Sequence, residues 1–345
     1  MTEQEKQKLR PLQAIARGNY RITRLYSAFL SRDPELVDPA LFEATLRQYD
    51  ADPADVYASF LSVAFGLDTE SSREDADFER DWLLPSVTCL DPADYLADEY
   101  CRTVQPPRHS LGAWELKQEV YPACRGFLYD DFRVLPDRRE LPRLGFFRQD
   151  FPFLAALENG NEWMTLTPVE INTSRAALAA ARGRVCTYGL GLGYYAFHAA
   201  AKSTVDSVTV VERSPEVIRL FRDWLLPQFP CRDKIELVQA DALEYAAAQA
   251  PREGFDTLFA DIWRDASDGL ALYLRLKKLE PLCPDTRFDY WLEGSLLSRL
   301  RWLVFENALA AIERGDPAAP RQAAEVEALL TDTALRSLAG KIIRI

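Results

Sequence analysis

Three glycines at alternate positions, Gly189, Gly191 and Gly193, follow the apolar run Val185-Cys-Thr-Tyr188, and their spacing points to chemistry on a nucleoside. An apolar run that ends in glycine reads as a buried strand turning sharply into a helix. Without Cβ atoms, such a turn lets a ligand come against main-chain N–H groups and the N-terminus of the next helix. A second apolar run, Val208 to Val211, ends in Glu212 and makes the unit βαβ. An acid at that strand end accepts hydrogen bonds from ribose hydroxyls. Two further strand-like runs also end in acids: Lys234 to Ala240, before Asp241-Ala242, and Phe255 to Ala260, before Asp261. Gly191-Leu-Gly-Tyr-Tyr-Ala196 satisfies the relaxed dinucleotide pattern as well, so NAD is the competing ligand.

Taken in order, the strand with its glycine loop, the strand ending in Glu212, the one ending in Asp241-Ala242 and the one ending in Asp261 resemble the class I S-adenosylmethionine (SAM)-dependent methyltransferases. The resemblance is closer to their spermidine-synthase-like branch and covers about residues 160 to 295. It implies a Rossmann-like α/β sheet with SAM as cofactor. Gly189, Gly191 and Gly193 would line its methionine and ribose part, Glu212 would hold the ribose hydroxyls, Asp241 with Ala242 would meet the adenine, and Asp261 would face the reacting end. One position departs from the family. Methyltransferases usually carry an acid two residues before the first glycine, where this chain has Thr187, with Tyr188 directly before Gly189. Spermidine synthases also lack that acid.

The residues around these strands supply the remaining candidates. Thr167-Pro168 with Glu170 fits a capping box ahead of an Ala-rich helix; alternatively, Glu170 or Asn172 replaces the missing acid in gripping the SAM ammonium. Tyr188 or Tyr194 can set an aromatic face against the sulfonium, with core packing the competing role for Tyr188. After Asp261, the polar loop offers Trp263 and Asp265 to the reaction, unless Asp265 or Asp268 caps the next helix. The expected reaction is methyl transfer to a small-molecule nitrogen or oxygen acceptor. Attack on another C–S bond of SAM would instead give methylthioadenosine, by aminopropyl or aminocarboxypropyl transfer or azetidine-2-carboxylate formation. A non-catalytic SAM-binding interaction protein is the third reading.

The elements that position these residues divide the 345-residue chain into three parts: a helical cap domain over 1–125, a β-hairpin linker region over 126–166, and a SAM-binding Rossmann-like domain over 167–345. Asp before Pro at 33–34, 38–39, 52–53 and 91–92 marks helix starts in the first. Glu158-Asn-Gly-Asn-Glu162 between two apolar runs marks the hairpin. Phe288 to Glu293 fits a fifth strand and Leu296 to Ile312 a long helix, after which the usual final hairpin of the methyltransferase sheet is missing or reduced before Lys341-Ile-Ile-Arg-Ile345. A net charge of −12 opposes nucleic-acid binding. Six cysteines without C-x-x-C spacing and two histidines give no metal site, and no run is long and apolar enough for a membrane span. A cytoplasmic protein acting on a small molecule, with homodimerisation open, is the expectation.

Overall fold

In the computed structural model, residues 3–302 are described, with side chains from Pro11 onward. The described residues form two compact units, one running to Tyr95 and including Val120 to Pro152, the other of Leu96 to Glu119 with those from Phe153 onward. In the first, helices Pro39–Tyr49 and Pro53–Ala64 start where Asp38-Pro39 and Asp52-Pro53 place them, whereas Asp33-Pro34 lies in the turn that follows helix Glu3–Arg32 and starts no helix. Asp38 accepts the Leu41 N–H at 2.7 Å and Asp52 that of Ala54 at 2.8 Å, satisfying donors that a helix start leaves open. Their apolar faces close over a three-stranded sheet in the order Val87–Leu90, Glu140–Phe147, Phe127–Val134. Tyr57 stacks on Phe146 at 4.0 Å in the centre of that core.

The stretch to residue 125 is therefore not wholly helical, since it also contains strands at 87–90, 109–111 and 114–121. Trp114-Glu-Leu-Lys-Gln-Glu-Val-Tyr121 alternates in burial along its first half, but its Glu, Lys, Gln and Leu are good helix formers, so period and propensity conflict and tertiary pairing decides.

The second unit holds two sheets. One is antiparallel, in the order His109–Leu111, Trp114–Tyr121, Phe151–Glu158, Asn161–Thr165. Its hairpin turns at Asn159 and Gly160, with φ of 52° and 80°, the paired left-handed residues of a tight type I′ turn. The other is parallel throughout and carries the site. Its strands are β1 (Gly183–Tyr188), β2 (Val205–Glu212), β3 (Ile235–Gln239), β4 (Thr257–Ala260) and β5 (Arg287–Tyr290), in the order β3-β2-β1-β4-β5. Helices α1 (Pro168–Ala180), α2 (Tyr194–Ala201), α3 (Ala242–Ala248) and α4 (Ala266–Leu279) accompany it.

This is a Rossmann-like α/β sheet together with a helical N-terminal region. The strand order reverses at β1, and in open parallel sheets ligands bind outside the carboxyl ends of the strands at such a switch point. β1 ends there in the glycine loop and β4 in Asp261. The chain is helical again from Glu293 to the last described residue, and no described helix is long and apolar enough to cross a membrane. The rest of the expected 296–312 helix, the final hairpin and the 341–345 end lie outside the described residues.

Candidate active site

The glycine loop leaves β1 under close constraint. The Gly189 N–H donates to the Val211 carbonyl at 2.9 Å and the Asp261 N–H to the Tyr188 carbonyl at 2.8 Å, so β1, β2 and β4 are tied together at their carboxyl ends. All three glycines have left-handed φ, at 92°, 53° and 81°. Their surroundings differ. A Cβ on Gly189 would stand 1.9 Å from the Asp261 carbonyl oxygen and one on Gly193 would stand 2.3 Å from the Phe221 ring, but one on Gly191 would meet nothing within 4 Å. Gly189 and Gly193 thus serve packing, and Gly191 borders open space. Among the described residues the Gly191 and Leu192 N–H groups meet no acceptor.

Glu212 is half-buried at the end of β2. Its Oε2 accepts the Leu190 N–H at 3.2 Å and its Oε1 the Ser214 N–H at 2.8 Å, which fixes the carboxylate beside the loop and leaves each oxygen a second lone pair. Asp241 is exposed at the end of β3 and caps α3 through Oδ1, which accepts the Leu243 and Glu244 N–H groups at 2.9 and 3.1 Å. Its Oδ2 has no partner among the described residues, and the adjoining Ala242 is buried.

Glu170 and Asp261 are the least satisfied charged groups of the site. The capping box expected at Thr167 does not form: Thr167 is the N-cap of α1 and Pro168 follows it, but the threonine side chain makes no cap hydrogen bond. Thr167 is itself buried, and Glu170 is left without a hydrogen-bond partner among the described residues, as is Asp261. Both carboxyls keep some surface open to solvent while protein surrounds them on the other sides. Burial raises the Glu170 pKa well above the usual carboxylate range, and the neighbouring Asp261 charge raises it further. Burial alone pushes Asp261 up to about 7. Two like charges that hinder each other's ionisation let the pair hold a proton at neutral pH. Asn172, two residues along α1 from Glu170, is half-buried and points to another side of the helix.

Three expected site residues are placed elsewhere. Tyr188 is fully buried, its ring edge-on to Tyr245 of α3 at 6.3 Å, so it packs into the helix layer instead of facing a sulfonium. Among the described residues its hydroxyl has no hydrogen-bond partner. Tyr194 donates its hydroxyl to Asp98 at 3.0 Å and lies against Tyr100 and His198, which commits its ring to that cluster. Trp263 donates its indole N–H to the Trp291 carbonyl at 3.2 Å, abuts the Gly269 backbone and stacks on Tyr290, which makes it an anchor between α4 and β5. Asp265 forms a capping box with Asp268 at the start of α4, the capping reading of the pair.

The Tyr188 hydroxyl gives a direct test of this placement. A buried hydroxyl without a partner costs about 1–3 kcal/mol. Tyr188→Phe is therefore expected to hold or raise Tm and to leave ligand affinity unchanged. A marked fall in Tm would show that the hydroxyl is bonded after all.

Asp98, which sequence reasoning missed, and Tyr100, an aromatic that the sequence offered only as pocket lining or core packing, reach the glycine loop and the helix after it from far upstream. Asp98 capping a short helix of five residues, Glu99–Thr103, was the only local signal, and nothing in it points to a loop beyond residue 188.

No family model matches the chain, and neither does any curated protein. Among solved structures it is similar to a spermidine synthase from Thermotoga maritima, at 16% identity and a TM-score of 0.30 over 40% of this chain and 48% of that one. A probable spermidine synthase from Corynebacterium glutamicum ATCC 13032 is similar at 17% identity and a TM-score of 0.31, over 46% of this chain and 62% of that one. A precorrin 8w decarboxylase from Methanobacterium thermoautotrophicum is similar at 18% identity and a TM-score of 0.30, over 42% of this chain and 73% of that one. The chain spans about half the length of the Thermotoga protein.

Proposed function

We propose that this chain is a SAM-dependent transferase that passes a carbon group from SAM to a small-molecule nitrogen or oxygen nucleophile. The observation that carries the proposal is the pair Glu170 and Asp261: two neighbouring carboxyls without hydrogen-bond partners among the described residues, Asp261 standing at the switch point of a parallel sheet where its backbone meets the glycine loop at Gly189. Neighbouring carboxyls without hydrogen-bond partners favour a cation, and SAM carries both an ammonium and a sulfonium. The other groups fit the same ligand. Glu212 offers lone pairs to two ribose hydroxyls, Asp241 offers a free oxygen to the adenine amine, and the bare backbone of Gly191 leaves room for the ligand against free N–H groups.

When bound, SAM supplies an electrophilic carbon on a positively charged sulfur. The residues of the chain then have two tasks. Glu212, Asp241 and the loop orient the ligand, and orientation supplies much of the acceleration in such a displacement. Asp261, whose pKa lies near neutrality, accepts the proton that an amine or hydroxyl nucleophile loses as it forms its new bond, while Glu170 holds the second proton of the pair.

Thr187 favours a second reading of the same site. It is buried, bonded to the Gly189 carbonyl at 3.3 Å, and stands where a methyltransferase carries an acid. No fixed carboxylate at that position keeps the SAM amino group protonated, which suits attack on another C–S bond. Calorimetric titration with SAM, S-adenosylhomocysteine and NAD, followed by mass spectrometry of the nucleoside product, separates the readings. Saturable binding of SAM with release of S-adenosylhomocysteine is the expected result. Methylthioadenosine would assign the second reading, binding without turnover a non-catalytic role, and saturable NAD binding with no response to SAM would sink the proposal.

A further inference from the structure

The glycine loop is held not only by the sheet but by residues 98–109, a stretch that precedes β1 by most of a domain and belongs to the same compact unit. Tyr100 is fully buried and donates its hydroxyl to the Leu192 carbonyl at 2.5 Å. The N–H of that same peptide unit, on Gly193, donates to the Leu190 carbonyl at 2.9 Å. The Leu192–Gly193 peptide is thus pinned at both of its polar atoms, one bond coming from within the loop and the other from Tyr100. Asp98 secures the base of the arrangement. Its Oδ1 accepts the Tyr100 N–H at 2.8 Å and the His198 Nε2–H at 3.0 Å, and its Oδ2 accepts the Tyr194 hydroxyl at 3.0 Å, so one carboxylate joins the upstream segment to the first two turns of α2.

Rings lock the same contact. Tyr100 lies edge-on to Phe197 at 5.2 Å and to Phe229 at 5.9 Å, and Phe229 is edge-on to Phe221, the ring against which the bare Gly193 backbone rests. Farther along, the Gln105 N–H donates to the Gln228 side chain at 2.7 Å and His109 packs on Trp224 at 3.8 Å, so the segment is fixed at three successive points along its length. Of these contacts the Tyr100 bond falls on the turn itself, on which Gly191 and Leu192 present free N–H groups, and the Asp98 bonds hold Tyr100 against α2, the helix that the turn leads into.

We infer that Tyr100 and Asp98 are positioning residues that brace the glycine loop in its ligand-ready shape, an inference that rests on the nucleoside-binding function proposed above. A loop carrying three left-handed residues has many alternative conformations, and holding it in one before the ligand arrives removes an ordering cost from binding. Tyr100→Phe deletes the single bond to Leu192 and keeps the ring packing. It is expected to speed amide hydrogen exchange at Leu190 and Gly193 and to raise the Kd for S-adenosylhomocysteine about tenfold, the scale of one lost hydrogen bond. Asp98→Asn, which keeps the side-chain shape but not the charge, is expected to act in the same direction.

Tyr26→Phe is the control for a merely structural tyrosine. Tyr26 is equally buried and is bonded to Ser86 at 2.5 Å in the other unit, so its loss should lower Tm without moving Kd or loop exchange. Tyr100→Phe behaving like Tyr26→Phe, with a lower Tm and unchanged loop exchange and Kd, would overturn the brace. Faster loop exchange in Tyr100→Phe, in a protein whose wild type ignores S-adenosylhomocysteine, would uphold the brace and sink the transferase function instead.

Discussion

Asp261→Asn is expected to stabilise the ligand-free protein above neutral pH and to leave it unchanged in acid. Burial raises the folded pKa of Asp261 to about 7, whereas an unfolded aspartate ionises near pH 3.9. Below the unfolded value both states carry the proton and nothing is lost. Between the two values the folded state alone keeps the proton, so stability falls as pH rises, and above the folded value the full cost of a buried charge is present. Asn removes that cost, by on the order of 4 kcal/mol at the alkaline end. Melting curves of both proteins between about pH 4 and pH 8 check it. Curves that run parallel at every pH would place the Asp261 carboxyl in full contact with water.

The same pair makes ligand binding depend on protons. A cation beside Glu170 and Asp261 favours their ionised forms, so SAM binding near neutrality is expected to release protons, and S-adenosylhomocysteine, without the sulfonium charge, to release fewer. Calorimetry in two buffers of different ionisation enthalpy reads this directly. The release should shrink in Asp261→Asn and vanish in Asp261→Asn with Glu170→Gln. In turnover, loss of the Asp261 base is expected to cost about 100-fold or more.

How much of this was legible before the fold is clearest from individual residues. The inner parallel strands announce themselves because β1, β2 and β4 are buried apolar runs ending at the glycine loop, Glu212 and Asp261 named from sequence, whereas the edge strands β3 and β5 are only partly buried and β5 stops at Tyr290, short of the expected Glu293. The hairpin was equally plain, since Asn159-Gly160 can adopt the two left-handed conformations its turn requires. Side-chain direction was not legible. A residue at a strand end points to one face or the other, and whether Tyr188 met a ligand or Tyr245 depended on where α3 returns to the sheet. Trp263 was misleading for a related reason: a polar loop at the carboxyl end of β4 suits chemistry, but its one large aromatic residue is used to anchor α4. Glu170 illustrates the opposite outcome. Its spacing from Thr167 matches a cap, and only the buried setting of Thr167, whose side chain makes no cap bond, leaves the acid beside Asp261.

The strongest expected effect separates two glycines that look alike in the sequence. Gly189→Ala would put a methyl group 1.9 Å from the Asp261 carbonyl oxygen at a φ of 92°, a conformation nearly closed to residues with a Cβ. The obstacle is backbone, and that backbone is bonded to β1 through the Asp261 N–H, so relief requires β1 and β4 to part at their carboxyl ends. Strain of this kind costs on the order of 1–3 kcal/mol before the overlap is counted, and a destabilisation above about 3 kcal/mol is expected. Gly191→Ala should behave differently. Its φ of 53° lies in the left-handed region at a cost of about 1–2 kcal/mol, and its methyl group meets no protein atom within 4 Å. This variant is expected to fold with a modest loss of Tm while its affinity for S-adenosylhomocysteine falls at least tenfold, because the methyl group occupies the space the bare backbone keeps open. Denaturant unfolding and calorimetry on the two variants decide it. Equal affinity in wild type and Gly191→Ala would show that the ligand does not lie over Gly191, and a fully stable Gly189→Ala would show that the junction of β1 with β4 is looser than its hydrogen bonds imply.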